Sequence, residues 1–142
     1  MSTKVHSPMS INNLAEAQEL DQCLGYLSLV NGIEGALIYT YEGLVMAKGE
    51  NTANDLLTQS PYLISNFLES IHQLDKVGLH FLESQVTYTD EKFYQIINLG
   101  RMNLFFLLIS GTKGSYDLFK FRIERGAQAI VQLLHAQSYL RG

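Results

Sequence analysis

The sequence predicts an α/β (α+β) fold: a single sheet of five antiparallel strands in the order 2-1-5-4-3, with two helices on one face and one helix on the other. Two segments carry this prediction, Ala36 to Tyr41 and Leu104 to Ile109, because in each the residues that would face either side of a strand are suited to burial. Such segments are expected to be central strands covered by helices on both sides. Placing them side by side leaves the more polar strands 2 and 3 as the edges of the sheet.

The length and composition favour one domain inside the cell. A chain of 142 residues can bury roughly 70% of its unfolded surface. We predict a flexible tail over residues 1–9, the domain over residues 10–138 and a C-terminal tail over residues 139–142. The net charge of −4 argues against nucleic-acid binding. With Cys23 as the one cysteine and no apolar run of the ~20 residues that cross a membrane, a cytoplasmic location without membrane insertion is expected.

The first helix and the first hairpin follow from spacing and turn residues. Apolar residues recur every three or four positions up to Val30, so a helix is predicted from a Ser10 cap to Asn31-Gly32. The next two strands are expected to turn at Glu42-Gly43, because a two-residue hairpin turn needs a positive φ, which glycine adopts without steric cost.

The second half predicts a helix, three strands and a final helix. Ser60 and Pro61 are residue types that begin helices, so the second helix is predicted to start there and to end near Lys76, after a polar loop over residues 50–59. The strands are predicted over residues 79–88, 92–99 and 103–110. Residues 111–115 are expected to form a loop before a last helix that begins near Tyr116.

The first hairpin consists of Gly32-Ile33-Glu34-Gly35-Ala36-Leu37-Ile38 and Glu42-Gly43-Leu44-Val45-Met46-Ala47. These two segments resemble the signature hairpin of the Roadblock dynein-light-chain family (Roadblock/longin-type domain), and the order of elements extends the resemblance over about residues 10–136. One departure is Tyr39-Thr40-Tyr41, where the family often carries an aspartate. The resemblance implies a non-catalytic module that pairs third strands in a homodimer or heterodimer and scaffolds or regulates a small Ras-like GTPase, or else serves as a light chain of a dynein-type motor.

Two surfaces are the expected sites of contact. The third strand reads as a polar, uncapped edge, which invites pairing with another chain. The expected dimer interface is its alternating set: His80, Leu82, Ser84, Val86 and Tyr88. The expected partner-binding surface is the exposed side of the second helix: Asn66, Glu69, Ser70 and Gln73.

The sequence predicts no catalytic, cofactor or metal site. Lys113 precedes Gly114, so residues 111–115 lack the order of a phosphate-binding loop, and the histidines lack the i, i+4 spacing of metal ligands. Cys23 lies among leucines and is expected to act as a small buried hydrophobe. Any GTPase-activating effect would come from positioning the GTPase's own loops, because no arginine is identifiable as a finger.

Two alternatives remain open at this point. A sheet between helices can hold a pocket, so a small-ligand sensor with residues 50–59 as a lid is one alternative. The other concerns charge on the outer helices: Glu16, Glu19 and Asp21 on the first, and Lys120, Arg122 and Arg125 on the last. These charges are expected to form exposed ion pairs if the helices are neighbours, or the basic helix faces an acidic partner or membrane surface.

Overall fold

The computed structural model describes residues 11–29, 31–100 and 105–136. The elements in chain order are α1 (Ile11–Ser28), β1 (Ile33–Thr40), β2 (Val45–Lys48), α2 (Asn54–Lys76), β3 (Ser84–Tyr88), β4 (Lys92–Asn98), β5 (Phe105–Thr112) and α3 (Tyr116–Ala136). All strand pairs are antiparallel, in the order β2-β1-β5-β4-β3. This order confirms the predicted fold. The two predicted tails, the Ser10 cap, Val30 and the predicted start of β5 at Asn103 lie outside the described residues.

The centre of the sheet is buried on both faces, as predicted. β1 and β5 lie side by side, with Ala36 opposite Ile109 and Leu37 opposite Leu108. On one face, Ala36 and Ile109 pack against apolar residues of α1 and α3. On the other, Leu37 and Leu108 pack against α2, where the Phe67 ring meets a β5 phenylalanine edge to face. The two central strands therefore separate two apolar cores.

The first hairpin turns through three residues rather than two. The Thr40 N–H donates to the Leu44 carbonyl at 2.9 Å, and the Gly43 N–H donates to the Thr40 carbonyl at 3.0 Å. Gly43 has φ +92°, so it supplies the left-handed residue with which a three-residue hairpin loop ends. The predicted two-residue turn is wrong, although the need for a positive φ at Gly43 is confirmed.

The second helix begins six residues earlier than predicted. α2 starts at Asn54, and Ser60 and Pro61 lie in its interior. Proline has no N–H to donate to the carbonyl four residues back. Here the Ser60 hydroxyl donates to that carbonyl, on Leu57, at 2.9 Å. Ser60 therefore compensates for Pro61 instead of capping the helix.

β3 is shorter than predicted because the backbone before it is not extended. Gly78 ends α2 with φ +82°, and Phe81 has φ +59°, which interrupts any strand through residues 79–83. The strand begins at Ser84. The prediction of a strand from Leu79 is therefore wrong, and His80 and Leu82 precede β3.

β5 extends two residues beyond its predicted end. Gly111 still belongs to the strand, and a side chain there would place a Cβ 2.3 Å from the Gly32 carbonyl oxygen, so glycine permits this close approach. The predicted loop over residues 111–115 is reduced to one 3-10 turn, Lys113–Ser115.

Candidate interaction surfaces

One edge of the sheet has open backbone hydrogen-bonding groups. β3 pairs with β4 on one side, where the Asn98 N–H donates to the Glu83 carbonyl at 2.8 Å and the Thr89 N–H donates to the Lys92 carbonyl at 2.9 Å. Because these bonds alternate along an antiparallel pair, odd-numbered residues of this segment face β4. Ser84, Val86 and Tyr88 therefore direct their N–H and carbonyl groups outward. These three residues belong to the predicted dimer interface, which stays a prediction.

The opposite edge of the sheet is protected. β2 has four residues, ends at Lys48 and carries an irregular register, since Ile38 pairs with Ala47 but Tyr39 pairs with Val45. Shortness, a bulge and a lysine are features that discourage pairing between sheet edges. β3 contains neither a charged residue nor a proline. Of the two edges, β3 is the one suited to pairing.

The predicted dimer residues do not form one continuous strand. Ser84, Val86 and Tyr88 lie on β3, whereas Leu82 is half-buried against the α2 side of the core. His80 is exposed, with its Nδ1 3.4 Å from the Asp75 carboxylate. The structure thus divides the predicted set into three strand residues and two residues of the preceding segment.

The side chains of β3 connect the open edge to both helical layers. On the α2 side, the Gln85 Nε2 donates to the Ser70 hydroxyl at 3.2 Å. On the other side, the Tyr88 and Tyr116 rings lie 6.0 Å apart, and the Lys113 Nζ lies 5.7 Å from the Tyr88 ring centre. Burial, and then the neighbouring Tyr88, raise the pKa of the Tyr116 hydroxyl.

The exposed face of α2 contains most of the predicted partner-binding residues. Asn66, Glu69 and Gln73 are exposed, and the Gln73 Nε2 donates to the Glu69 carboxylate at 3.0 Å. Ser70 is half-buried and bonded to β3. The sequence reasoning missed Tyr62, which is 78% exposed one turn before Asn66. Its spacing of four residues from Asn66 could have placed it on this face.

Cys23 was the one candidate nucleophile considered from the sequence. Cys23 is half-buried beside the α1 and α3 core, and burial, followed by Glu19, raises the pKa of its thiol. A raised pKa disfavours the nucleophilic thiolate. Within residues 11–29, 31–100 and 105–136, no three His, Cys, Asp or Glu side chains come close enough to hold a metal ion. In the same ranges, no helix combines the length and apolar character needed to span a membrane.

The predicted sensor lid is wrong. Residues 54–59 form the first turns of α2, not a loop. A polar depression of about 480 Å³ lies beside them, where the Tyr94 hydroxyl donates to the Gln59 side-chain carbonyl at 3.1 Å. Lys92, at the rim, pairs with Glu34 at 2.9 Å. The four side chains thus form two separate pairs, one hydrogen-bonded and one ionic.

The outer helices pack together, and their described side chains form none of the predicted ion pairs. Among the described side chains, the Arg122 guanidinium lies 4.4 Å from the centre of the Tyr26 ring, and no ion pair joins α1 to α3. Gly126 allows the close approach, because a Cβ there would lie 2.7 Å from the Leu27 side chain. A groove of about 1020 Å³ runs between the two helices.

Together, an open five-stranded sheet, a two-helix layer and a one-helix layer define a small α/β domain in which β3 forms one edge of the sheet. MglB of Myxococcus xanthus superposes with a TM-score of 0.74 at 10% identity, over 94% of this chain and 96% of that chain. The gliding protein MglB of Thermus thermophilus gives 0.72 at 15% identity, over 84% and 90%. A Roadblock/LC7 domain from Streptomyces avermitilis gives 0.66 at 12% identity, over 81% and 97%.

These similarities establish the fold. No protein-family model and no curated protein matches the sequence. The chain has a Roadblock/longin-type fold, as its hairpin predicts.

Proposed function

We propose that the chain is a non-catalytic cytoplasmic module that forms a homodimer through β3 and scaffolds or regulates a small Ras-like GTPase. The Roadblock/longin-type fold supports the proposal, because the family that the sequence resembles typically pairs third strands and serves such GTPases. The observation that carries it is the bare β3 edge, which the Gln85–Ser70 hydrogen bond joins to the exposed face of α2.

In the proposed dimer, two β3 strands pair antiparallel and make one sheet of ten strands. The two-fold axis is placed at Val86, because the outward N–H and carbonyl groups of Ser84, Val86 and Tyr88 can then all form hydrogen bonds. Ser84 of each copy lies opposite Tyr88 of the other. His80 and Leu82 then flank the paired strands. Since α2 is bonded to β3 through Ser70, pairing brings the two α2 helices together on one face of the sheet.

The two adjoining α2 faces form the proposed GTPase-binding surface. Each copy contributes Asn66, Glu69, Ser70 and Gln73. Tyr62 provides an exposed aromatic ring at the end of each face, the residue type that most often anchors a protein interface. A surface shared by two copies gives a physical reason why dimerisation would precede GTPase binding.

The dimer is tested by Val86→Pro. The Val86 N–H points away from β4, so proline there removes an outward donor but no hydrogen bond of the sheet, and proline is tolerated at such edge positions. We expect the wild type to be dimeric by light scattering at micromolar concentration, and the variant to be folded by circular dichroism and monomeric. Val86→Ala keeps the N–H and is the matched control, which should remain dimeric. A monomeric wild type would refute strand pairing.

The GTPase is tested by direct binding. Purified small Ras-like GTPases of the source organism, loaded with GDP or with a non-hydrolysable GTP analogue, are measured against the wild type and Glu69→Arg. We expect binding in one nucleotide state, weakened at least tenfold by the charge reversal, a loss of about 1.4 kcal/mol. Glu124→Arg, an equal reversal at an exposed position of α3, should bind normally. If no GTPase binds in either state, the proposal fails.

A further inference from the structure

The groove between α1 and α3 has no part in the proposed function. It lies on the two-helix layer, across the sheet from the α2 face. Its floor includes Cys23, Leu27, Gly126 and Ala129. The Thr112 N–H donates to the Gly32 carbonyl at 2.8 Å, so α3 begins beside the end of α1, and the two helices run antiparallel.

The two ends of the groove differ in shape. At the end where α1 stops and α3 starts, three large apolar side chains project into solvent: Tyr26 is 60% exposed, Leu118 is 76% exposed and Phe121 is 66% exposed. At the other end, the small side chains of Cys23 and Ala129 and the half-buried Leu133 lie between two exposed glutamines, Gln22 and Gln132. The same surface therefore presents projections at one end and a recess at the other.

The two ends also differ in charge. Glu19 lies at the recessed end, on the wall formed by α1. Arg122 lies at the projecting end, held over the Tyr26 ring, with Arg125 one turn further along α3. None of these three side chains forms an ion pair with another described residue. The groove thus has one acidic end and one basic end.

We propose that this groove is a second self-association surface, occupied by the same groove of another copy in an antiparallel arrangement. A two-fold axis perpendicular to both helices places the projecting end of each copy over the recessed end of the other. Leu118 and Phe121 then fill the recess, and Glu19 of one copy comes level with Arg122 of the other. Both shape and charge are satisfied twice, as an isologous contact requires.

A helix from another protein would match the charges of the groove less completely. An acidic amphipathic helix would pair with Arg122 and Arg125 but would leave Glu19 without a cation. A second copy carries the complementary charge for each end. Charge complementarity therefore favours self-association.

The contact is expected to be weak. Leu118 and Leu133 are about 22 Å apart along α3 at 1.5 Å per residue, and two helices side by side are about 20 Å wide, so the footprint is about 450 Å². Stable complexes bury about 800 Å² per partner. We expect association at roughly 10–100 µM, weakened by salt because part of it is electrostatic.

The test uses Val86→Pro as the background, so that β3 pairing does not contribute. Light scattering at roughly 100 µM should give a mean mass about 1.5 to 1.8 times that of the monomer, as a dissociation constant of roughly 10–100 µM requires, and Glu19→Arg and Arg122→Glu should each reduce it to the monomer. A 1:1 mixture of these two variants should regain the raised mass, since the mixed pair restores opposite charges at both ends. Glu124→Arg, on α3 outside the groove lining, is the control and should still associate.

Each result decides the proposal. The antiparallel contact is supported only if the 1:1 mixture regains the mass that each single variant has lost. A background protein that stays monomeric overturns it and leaves the groove to a foreign partner, as does association that survives both single reversals or a mixture that remains monomeric. Circular dichroism confirms that each variant is folded. If Val86→Pro does not change the wild-type mass, the β3 dimer fails, but the charge-reversal result remains interpretable.

Discussion

Ser60 offers the sharpest test of how the second helix tolerates an interior proline. Pro61 cannot donate to the Leu57 carbonyl, and the Ser60 hydroxyl does so at 2.9 Å. The same hydroxyl oxygen is hydrogen-bonded to the hydroxyl of Tyr39, a buried residue of β1. Ser60→Ala therefore removes one partner from each of two groups in the core between the sheet and α2.

The cost follows from those two groups. A buried polar group left without a partner costs about 1–3 kcal/mol. Leu57 is only half-buried, which puts its carbonyl near the low end of that range. Alanine has the better helix propensity by about 0.5 kcal/mol. We expect Ser60→Ala to lower the free energy of unfolding by about 2 kcal/mol.

A double-mutant cycle with Pro61→Ala isolates the compensation. Alanine at position 61 restores the N–H that reaches the Leu57 carbonyl. In that background, Ser60→Ala leaves the Tyr39 hydroxyl alone unpaired, so its cost should fall by about 1 kcal/mol. Pro61→Ala by itself should stabilise the protein, by up to about 3 kcal/mol, because proline is the least favourable residue in a helix interior.

The assay is urea unfolding followed by circular dichroism, since the chain contains no tryptophan. All variants are compared at one protein concentration, because self-association adds to apparent stability. Thr58→Ala is the matched control: it deletes a hydroxyl that bonds to the carbonyl four residues back, on Asn54, while keeping its own backbone N–H. Its effect should be near zero. Equal costs of Ser60→Ala in both backgrounds would refute the compensation.

Two further predictions concern the first hairpin and the thiol. In the same unfolding assay, Gly43→Ala should destabilise the fold by about 1–2 kcal/mol and Gly43→Asn by less. The reason is the backbone φ of +92°, since a Cβ at this position would meet open space. Equal costs of the two substitutions would indicate a lost contact instead. Cys23 should react with a thiol reagent more slowly than the unfolded chain near pH 8, because its pKa is raised in the fold. A folded chain that reacts as fast as the unfolded chain would contradict the raised pKa. The raised pKa also stabilises the fold at pH values below the ordinary thiol pKa, and this contribution is lost as the pH rises through the pKa of the folded state.

The sequence predicts the layers because burial on both faces is a property of local composition. Ala36 and Leu37 are both apolar, and neighbouring strand residues point to opposite faces, so β1 could only be central. The start of α2 was not predictable in this way. Ser60-Pro61 has the composition of a helix start, but Ser60 is bonded to Tyr39, 21 residues away in sequence. A tertiary contact decided the role of a local motif.

The third strand was predicted to be longer than it is, and its role as a dimer interface stays a prediction. Ser84, Val86 and Tyr88 direct their backbone groups outward because the alternation of the ladder is preserved. The strand stops at Ser84 because Phe81 adopts a positive φ, a conformation that its residue type gives no reason to expect. Tyr62 was left out of the predicted partner-binding set, although its spacing of four residues from Asn66 puts it on the same face of α2.

The proposed mode of pairing places few demands on the side chains of β3. Strands at an edge associate through N–H and carbonyl groups that every non-proline residue carries, so the pairing tolerates side-chain change as long as charges and prolines are absent. β3 meets that condition with the sequence Ser-Gln-Val-Thr-Tyr. Selectivity among partners must then come from side chains beside the edge, and two sets lie there: the Tyr88–Tyr116 pair and the α2 face attached through Ser70. In the proposed dimer, side-chain changes beside the edge would therefore alter the choice of partner while the strand pairing is kept.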